Sequence, residues 1–245
     1  MIKFEKPDYK IVECQESNHF AKFELEPLER GFGTTIGNAL RRVMLSSLPG
    51  SAVVSVKIDG VMHEFQKMEG VVEDVTSIVL ALKKLVVKNH TQEVKTLRLT
   101  KSTPGPVTAA DIEKDADIEI MNPDLVLCTL VEGGKISMEM TVNNGRGYVP
   151  AAENKLKLGE AKAGVIAIDS SYSPIEVVKY EVLDTRVGQD ESYDKLVMEV
   201  STDGSMTPEE AMALAAKILI EHFNIVADLN SISNITGIMQ EKKID

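Results

Sequence analysis

The hydrophobic pattern of the chain changes period several times, and each change marks an element. Between Tyr9 and Glu26 the runs IVECQ and HFAKFELE alternate apolar and polar positions across a polar turn at Ser17 and Asn18, which predicts a strand pair ended by Pro27. From Ile36 the period becomes helical. At about 100° per residue, Ile36, Leu40, Val43, Met44, Ser47 and Leu48 share one face, while Asn38, Arg41, Arg42 and Leu45 lie around the opposite side. Pro49 and Gly50 stop this helix, SAVVSVKI returns to period two, and Asp59 and Gly60 supply a tight turn into VMHEF, read as the paired strand. The switch near Gly50 is read as a domain boundary.

Further on, Val72, Val75, Ile78, Val79, Leu82 and Val86 keep helical spacing, with Glu73 and Asp74 near the positive end and Lys83 and Lys84 near the negative end. An amphipathic helix from Val72 to Val86 follows. KTLRLT, DADIEIMN, DLVLCTL and KISMEMTV are short strands, the last two joined across Glu132, Gly133 and Gly134, so the middle third is mostly β. Pro150 to Ala163 shows no firm periodicity and is read as an exposed, mobile loop. IEVVKYEVLDTRV and YDKLVMEV alternate on either side of Gly188 to Ser192 and form a long hairpin. Thr207 as N-cap, Pro208 in the first turn and Glu210 completing a capping box then open a helix expected to run to about His222; such a box is worth roughly 1 kcal/mol. Its apolar set, Ala211, Leu214, Ala215, Ile218, Leu219 and Phe223, is wider than one stripe requires, which implies burial on two sides, as in a dimer.

The first helix also carries chemistry. Leu45 beside Arg41 and Arg42 is the composition of an interface centre, although a plain solvated face is the competing reading and one exposed leucine does not overturn it. Gly31, Gly33 and Gly37 follow a strand and open a helix, as glycines that cradle a pyrophosphate do, but the dinucleotide fingerprint needs its third glycine where Ile36 stands. A turn at Gly31 and Gly33 and close packing at Gly37 account better for them. Gly145, Arg146, Gly147 and Tyr148 hold a guanidinium and a phenol between glycines, either a preorganised contact point or simply a hairpin end.

Other chemistry is sparse. The formal net charge is −11, which disfavours direct binding to a phosphate backbone. Lys83, Lys84 and Lys88, and again Lys155, Lys157 and Lys162, cluster without interleaved aromatics and read as solvated faces or protein contacts. His19, His63, His90 and His222 are scattered, and Cys14 and Cys128 stand alone, so no metal, acid-base or disulfide arrangement is suggested, and a reducing cytoplasm fits. Asp111, Glu113, Asp115 and Asp117 lack the glycine and terminal glutamate of a calcium loop and read as a solvated turn. Neither a nucleophile elbow nor a phosphate-binding Gly-Lys loop occurs. MIKFEKPDYK has no apolar core of a signal peptide, and no apolar run is long enough to span a bilayer.

LEPLERGFGTTIGNALRRVMLSSLPG, Leu25 to Gly50, closely resembles the signature of the N-terminal domain of the bacterial RNA polymerase α subunit. The resemblance continues through KIDGVMHEF, GVVEDVTSIVLALKKL, PGPVTAADI, NNGRGYVPA and SYSPIEVVKYEV, collinear over about residues 1 to 230. It implies an α+β fold: a dimerisation domain of antiparallel strands and two helices (residues 1–49 and 174–230), interrupted by a mostly β inserted domain (50–173) and followed by a polar tail (231–245).

The resemblance also implies a homodimer that gathers the β and β′ subunits, with ω and sigma in the holoenzyme. The catalytic magnesium would lie in β′, leaving this chain a non-catalytic subunit without a cofactor. By the same resemblance Arg42 and Leu45, with Arg41 and Asn38 beside them, face β. Lys83 and Ile168 face β′, and Arg146 and Tyr148 belong to a loop that seats α in the polymerase. Phe32, Ile36, Gly37 and Leu40 are expected to pack against Leu219 and Phe223 of the other copy. NSISNITGIMQEKKID resembles the start of the linker that leads, in full-length α subunits, to a DNA-binding domain, so a shortened chain without promoter contacts is expected. Two rivals remain: a dinucleotide-dependent enzyme using GFGTTIG, and an archaeal or eukaryotic-type homologue forming a heterodimer. The uninterrupted bacterial signature and the lack of an iron-sulfur cysteine cluster speak against the second.

Overall fold

A computed structural model describes residues 4–15, 19–158, 164–188, 190–227 and 239–240. In chain order the first elements are β1 (Phe4–Glu5), β2 (Asp8–Gln15), β3 (Phe20–Glu29), α1 (Phe32–Ser47), β4 (Pro49–Ile58), α2 (Val75–Leu82), β5 (Val87–Asn89), β6 (Lys95–Lys101), β7 (Gly105–Thr108) and β8 (Ile118–Ile120). There follow β9 (Val126–Leu130), β10 (Ile136–Arg146), β11 (Tyr148–Val149), α3 (Ala151–Lys157), β12 (Val165–Ala167), β13 (Ser170–Ser171), β14 (Ile175–Val187), β15 (Asp190–Thr202), α4 (Pro208–Ala227) and β16 (Met239–Gln240). The architecture is α+β. The chain divides into two compact units, one made of Met1–Leu48 with Pro174–Asp245 and the other of Pro49–Ser173.

In the first unit β14, β15, β3 and β2 form an antiparallel sheet in that order. Leu25, Phe23 and Ala21 of β3 stand opposite Leu196, Met198 and Val200 of β15, and this alternating row makes the core with Leu40 and Met44 of α1 and Ala211 and Ala215 of α4. Pro27 does not end β3. Leu196 pairs with Leu25 and Asp194 with Leu28, so Glu26 and Pro27 fall in a register shift, where a residue without an N–H costs no ladder bond. The capping box of α4 is formed: the Thr207 N–H donates to Glu210 Oε2 at 3.1 Å and the Glu210 N–H to Thr207 Oγ1 at 3.2 Å. The helix runs past His222 to Ala227. Its apolar width is not buried within one chain, since Ile220, Phe223, Ile225 and Val226 remain exposed.

The second unit is built on the strand order β6-β10-β4-β5-β8, with β12 also on β4, and on two small pairs, β7 with β9 and β11 with β13. Several expectations fail here for local reasons. VMHEF is not a strand: Gln66 Nε2 donates to the Gly60 carbonyl at 2.9 Å and Gln66 Oε1 accepts the Met62 N–H at 3.0 Å, closing a loop, while β4 takes β10 as its partner. The helix α2 begins only at Val75, because Asp74 caps it by accepting the Ser77 N–H, and it ends at Leu82, leaving Val72 and Val86 outside. The Glu73 carboxylate goes instead to the Thr129 N–H and hydroxyl.

β9 and β10 are not partners of each other. β9 pairs with β7 in PGPVT, and β10 lies between β4 and β6. The stretch read as a loop after Pro150 contains α3, anchored by Asn154, which is buried and donates to the Ile168 carbonyl and Ser170 Oγ; residues 159–163 lie outside the described residues. The acidic run is no free turn either. Asp111 accepts from the Thr108 N–H and pairs with Lys101 at 2.7 Å, and Asp117 pairs with Lys95 at 2.6 Å. Of the polar tail 231–245, only Met239–Gln240 is described, in parallel pairing with Phe4–Glu5.

Candidate functional site

The glycine turn before α1 is occupied by the protein itself. Gly31 takes φ 90°, a left-handed conformation suited to glycine, and its N–H and that of Gly33 both donate to Asp194 Oδ2, at 2.8 and 3.1 Å. The carboxylate, only 7% exposed, therefore sits where a cradled phosphate would, at the positive end of the helix. A Cβ on Gly33 would lie 2.7 Å from Val182 Cγ1, and one on Gly37 2.7 Å from Tyr180 Cδ2 and 2.8 Å from Leu196 Cδ1. Both glycines thus let α1 press on its own sheet. Gly37 is buried there, which removes it from the residues available to a second copy.

This close seating gives α1 two unlike remaining faces. Asn38, Arg41, Arg42 and Leu45 are exposed. Arg41 Nε donates to the Val178 carbonyl at 3.3 Å, and among the described residues Arg42 has no side-chain hydrogen bond or ion pair. Toward α4 lies an almost wholly apolar groove of about 400 Å³, lined by Ile36, Leu40, Leu219, Ile220, Phe223 and Tyr9 among others. Ile36 and Leu40 thus share a groove with Leu219 and Phe223 of the same chain; Leu40 is buried, Ile36 and Leu219 are half-buried, and Phe32 and Phe223 are exposed.

In the second unit one nominated residue, Lys83, is held by an aspartate that the sequence did not single out. Lys83, at the end of α2, pairs with Asp169 at 2.5 Å, and the other Asp169 oxygen accepts the Ala151 N–H at 2.7 Å. The Lys83 bond, the Ala151 N–H and more weakly the Tyr148 hydroxyl hold the Asp169 carboxyl below its ordinary value. Arg146 ends β10 in an exposed position, next to a loop fixed by Tyr172, whose ring fills the space a Gly145 side chain would need and whose hydroxyl donates to Asn143 Oδ1 at 2.7 Å. Ile168 is 1% exposed within the core of this unit, so its side chain offers no surface to a partner.

Among the described residues no group of three or more His, Cys, Asp or Glu stands together as metal ligands. Cys14 is exposed, whereas burial pushes the Cys128 thiol up to about 12, far from a reactive thiolate. No described helix is long and apolar enough to cross a membrane.

The comparisons with known proteins agree with one another. Residues 56–173 match the family described as the RNA polymerase Rpb3/RpoA insert domain. The DNA-directed RNA polymerase subunit alpha of Desulforamulus reducens is 55% identical over 243 residues, covering 99% of this chain and 76% of that protein. The same subunit of Oceanobacillus iheyensis is 52% identical and that of Macrococcus caseolyticus 51%, each over the whole chain and 77% of the relative. The chain belongs to the α-subunit family of DNA-directed RNA polymerase. Its relatives are components of a nucleotidyltransferase assembled from several subunits, and nothing supports the dinucleotide reading, whose loop Asp194 already fills.

The sequence pattern led to the exposed face of α1 and to Tyr148, and the family resemblance to Lys83, but neither led to Asp194, Asp169 or Tyr172. Each of these three acts through contacts with residues distant in the chain. A single Asp or Tyr on a strand leaves no periodic trace of such a role.

Proposed function

We propose that this chain is an architectural subunit that pairs with a second copy of itself and carries two larger polymerase subunits on separate surfaces. The observation that carries the reading is the division of α1 into an exposed Arg42 and Leu45 face and an apolar groove bordered by the exposed Phe223. A groove of this chemistry suits a hydrophobic interface between copies, with Phe32, Ile36, Leu219 and Phe223 as its candidate contacts. The arginine and leucine face suits a larger partner, read as β, because an unpaired guanidinium beside a half-exposed apolar residue is the usual composition of a binding centre. Lys83 is read as the β′ side and Arg146 and Tyr148 as the loop that seats the chain in the assembly, and polymerisation chemistry is assigned to β′. The reading places the assembly in the cytoplasm.

Coexpression with β provides the test. Arg42→Ala should leave the dimer intact in sedimentation and weaken capture of β by about tenfold. Undiminished capture would show that this face has been assigned to the wrong partner.

A further inference from the structure

We propose that the cleft between α3 and the outer face of the second unit's sheet binds a phosphate group carried on a small organic body. Its floor is a row of side chains in register across four strands. Thr96, Thr141, Ser55 and Ala167 stand opposite one another in β6, β10, β4 and β12, on the face turned away from the core. Three of the four carry hydroxyls, and among the described residues none of the three makes a side-chain hydrogen bond. Thr96 and Thr141 have access to water. Ser55 is different, since it is 2% exposed and yet lines the cleft. Buried hydroxyls are nearly always paired, so one left unpaired at the floor of a cleft is a donor aimed outward at a ligand.

The rim supplies the charge that selects an anion over water. Two residues along, Lys57, Glu139 and Arg98 are aligned in β4, β10 and β6. Arg98 pairs with Glu139 at 3.1 Å, which leaves the Lys57 ammonium without an ion pair among the described residues. Lys155 of α3 is likewise unpaired there, while Lys157 takes Glu153 at 2.8 Å. Lysine offers a phosphate compact positive charge. Hydroxyls on neighbouring strands rise from carbons about 4.5–5.5 Å apart, a spacing that one tetrahedral oxyanion bridges. The chain as a whole carries −11, so the attraction is confined to this cleft. The remaining wall is apolar, formed by Leu158, Val165 and Ala167, and the cleft holds about 330 Å³. That is roughly ten times a water molecule's share of the liquid, more than a bare ion fills, and the apolar wall suits a carbon body attached to the phosphate.

Every residue of the cleft lies within the second unit, so the full chain can be tested without other polymerase subunits. It is titrated calorimetrically, in low salt, with phenyl phosphate, inorganic phosphate and benzyl alcohol. Phenyl phosphate should saturate one site per chain and bind about tenfold more tightly than inorganic phosphate, and benzyl alcohol should give no saturable heat. Ser55→Ala should weaken phenyl phosphate about tenfold while the thermal midpoint holds or rises, because it removes a buried hydroxyl that the fold does not pair. The double variant Lys57→Met with Lys155→Met should weaken it at least as much. Absence of saturation by phenyl phosphate, binding untouched by these variants, or benzyl alcohol bound as tightly would overturn the proposal. Equal affinity for the two phosphates would overturn it in favour of a site for the free ion. Should Ser55→Ala lower the thermal midpoint, the lysine variant decides alone: a tenfold loss supports the proposal and retained affinity sinks it.

Discussion

Asp194 and Gly33 are fitted to each other through one atom. The Oδ2 that accepts the Gly33 N–H at 3.1 Å would lie 3.0 Å from any Cβ placed on that glycine, so the hydrogen bond and the missing side chain are one requirement. The same carboxylate takes the Gly31 N–H and so satisfies two donors at the amino end of α1.

Gly33→Ala and Gly37→Ala should each destabilise the fold. Alanine favours a helix by about 1 kcal/mol over glycine, but here the added carbon meets Val182 or Tyr180 at 2.7 Å, and overpacking typically costs about 1–3 kcal/mol. Gly31→Ala has open space yet a φ of 90°, so its loss is one of backbone strain alone. Urea midpoints of the three variants measure this. A Gly37→Ala chain as stable as the original would mean that α1 does not sit as closely as described.

Phe223→Glu should convert the dimer to monomers in sedimentation velocity. The side chain is 63% exposed at the rim of the apolar groove, so a charge there costs the single chain little but cannot be buried between copies. Lys217→Ala, an exposed position on the same helix, is the control and should leave the dimer unchanged. Persistence of the dimer with a carboxylate in place of the ring would move the interface elsewhere.

Acid should release the contact between Lys101 and Asp111. The Lys101 bond first, then the Thr108 N–H, lowers the Asp111 carboxyl below 3.8, so the unfolded chain takes up this proton before the folded one as pH falls. The contribution is therefore complete above 3.8 and is lost as pH drops through the depressed folded value. Compared by urea midpoint, Asp111→Asn should be less stable than the original at neutral pH, and the gap should narrow below about pH 4. A gap independent of pH would show that the carboxylate charge contributes nothing there.

What could be read from the pattern and what could not divide along physical lines. The long hairpin of β14 and β15, the capped start of α4 and the exposed face of α1 follow from periodicity and local hydrogen bonds, which neighbouring residues suffice to specify. The partners of β4, β9 and β10 do not, because alternation marks a strand without naming its neighbour. Pro27 misled for a related reason: proline interrupts a ladder only where its N–H is needed, and the register shift between Asp194 and Leu196 removes that need. α3 escaped notice because it is short and fixed by the buried Asn154 rather than by an apolar stripe.

The bond between Gly33 and Asp194 joins positions 161 residues apart. As the chain leaves the ribosome, α1 has neither its capping carboxylate nor the β14 and β15 surface it rests on until all of the insert has been made. Pro49–Ser173 is complete before then and contains its own core. The order of synthesis therefore favours closure of the insert first and delays completion of the apolar groove beside α1, the proposed pairing surface, to the end.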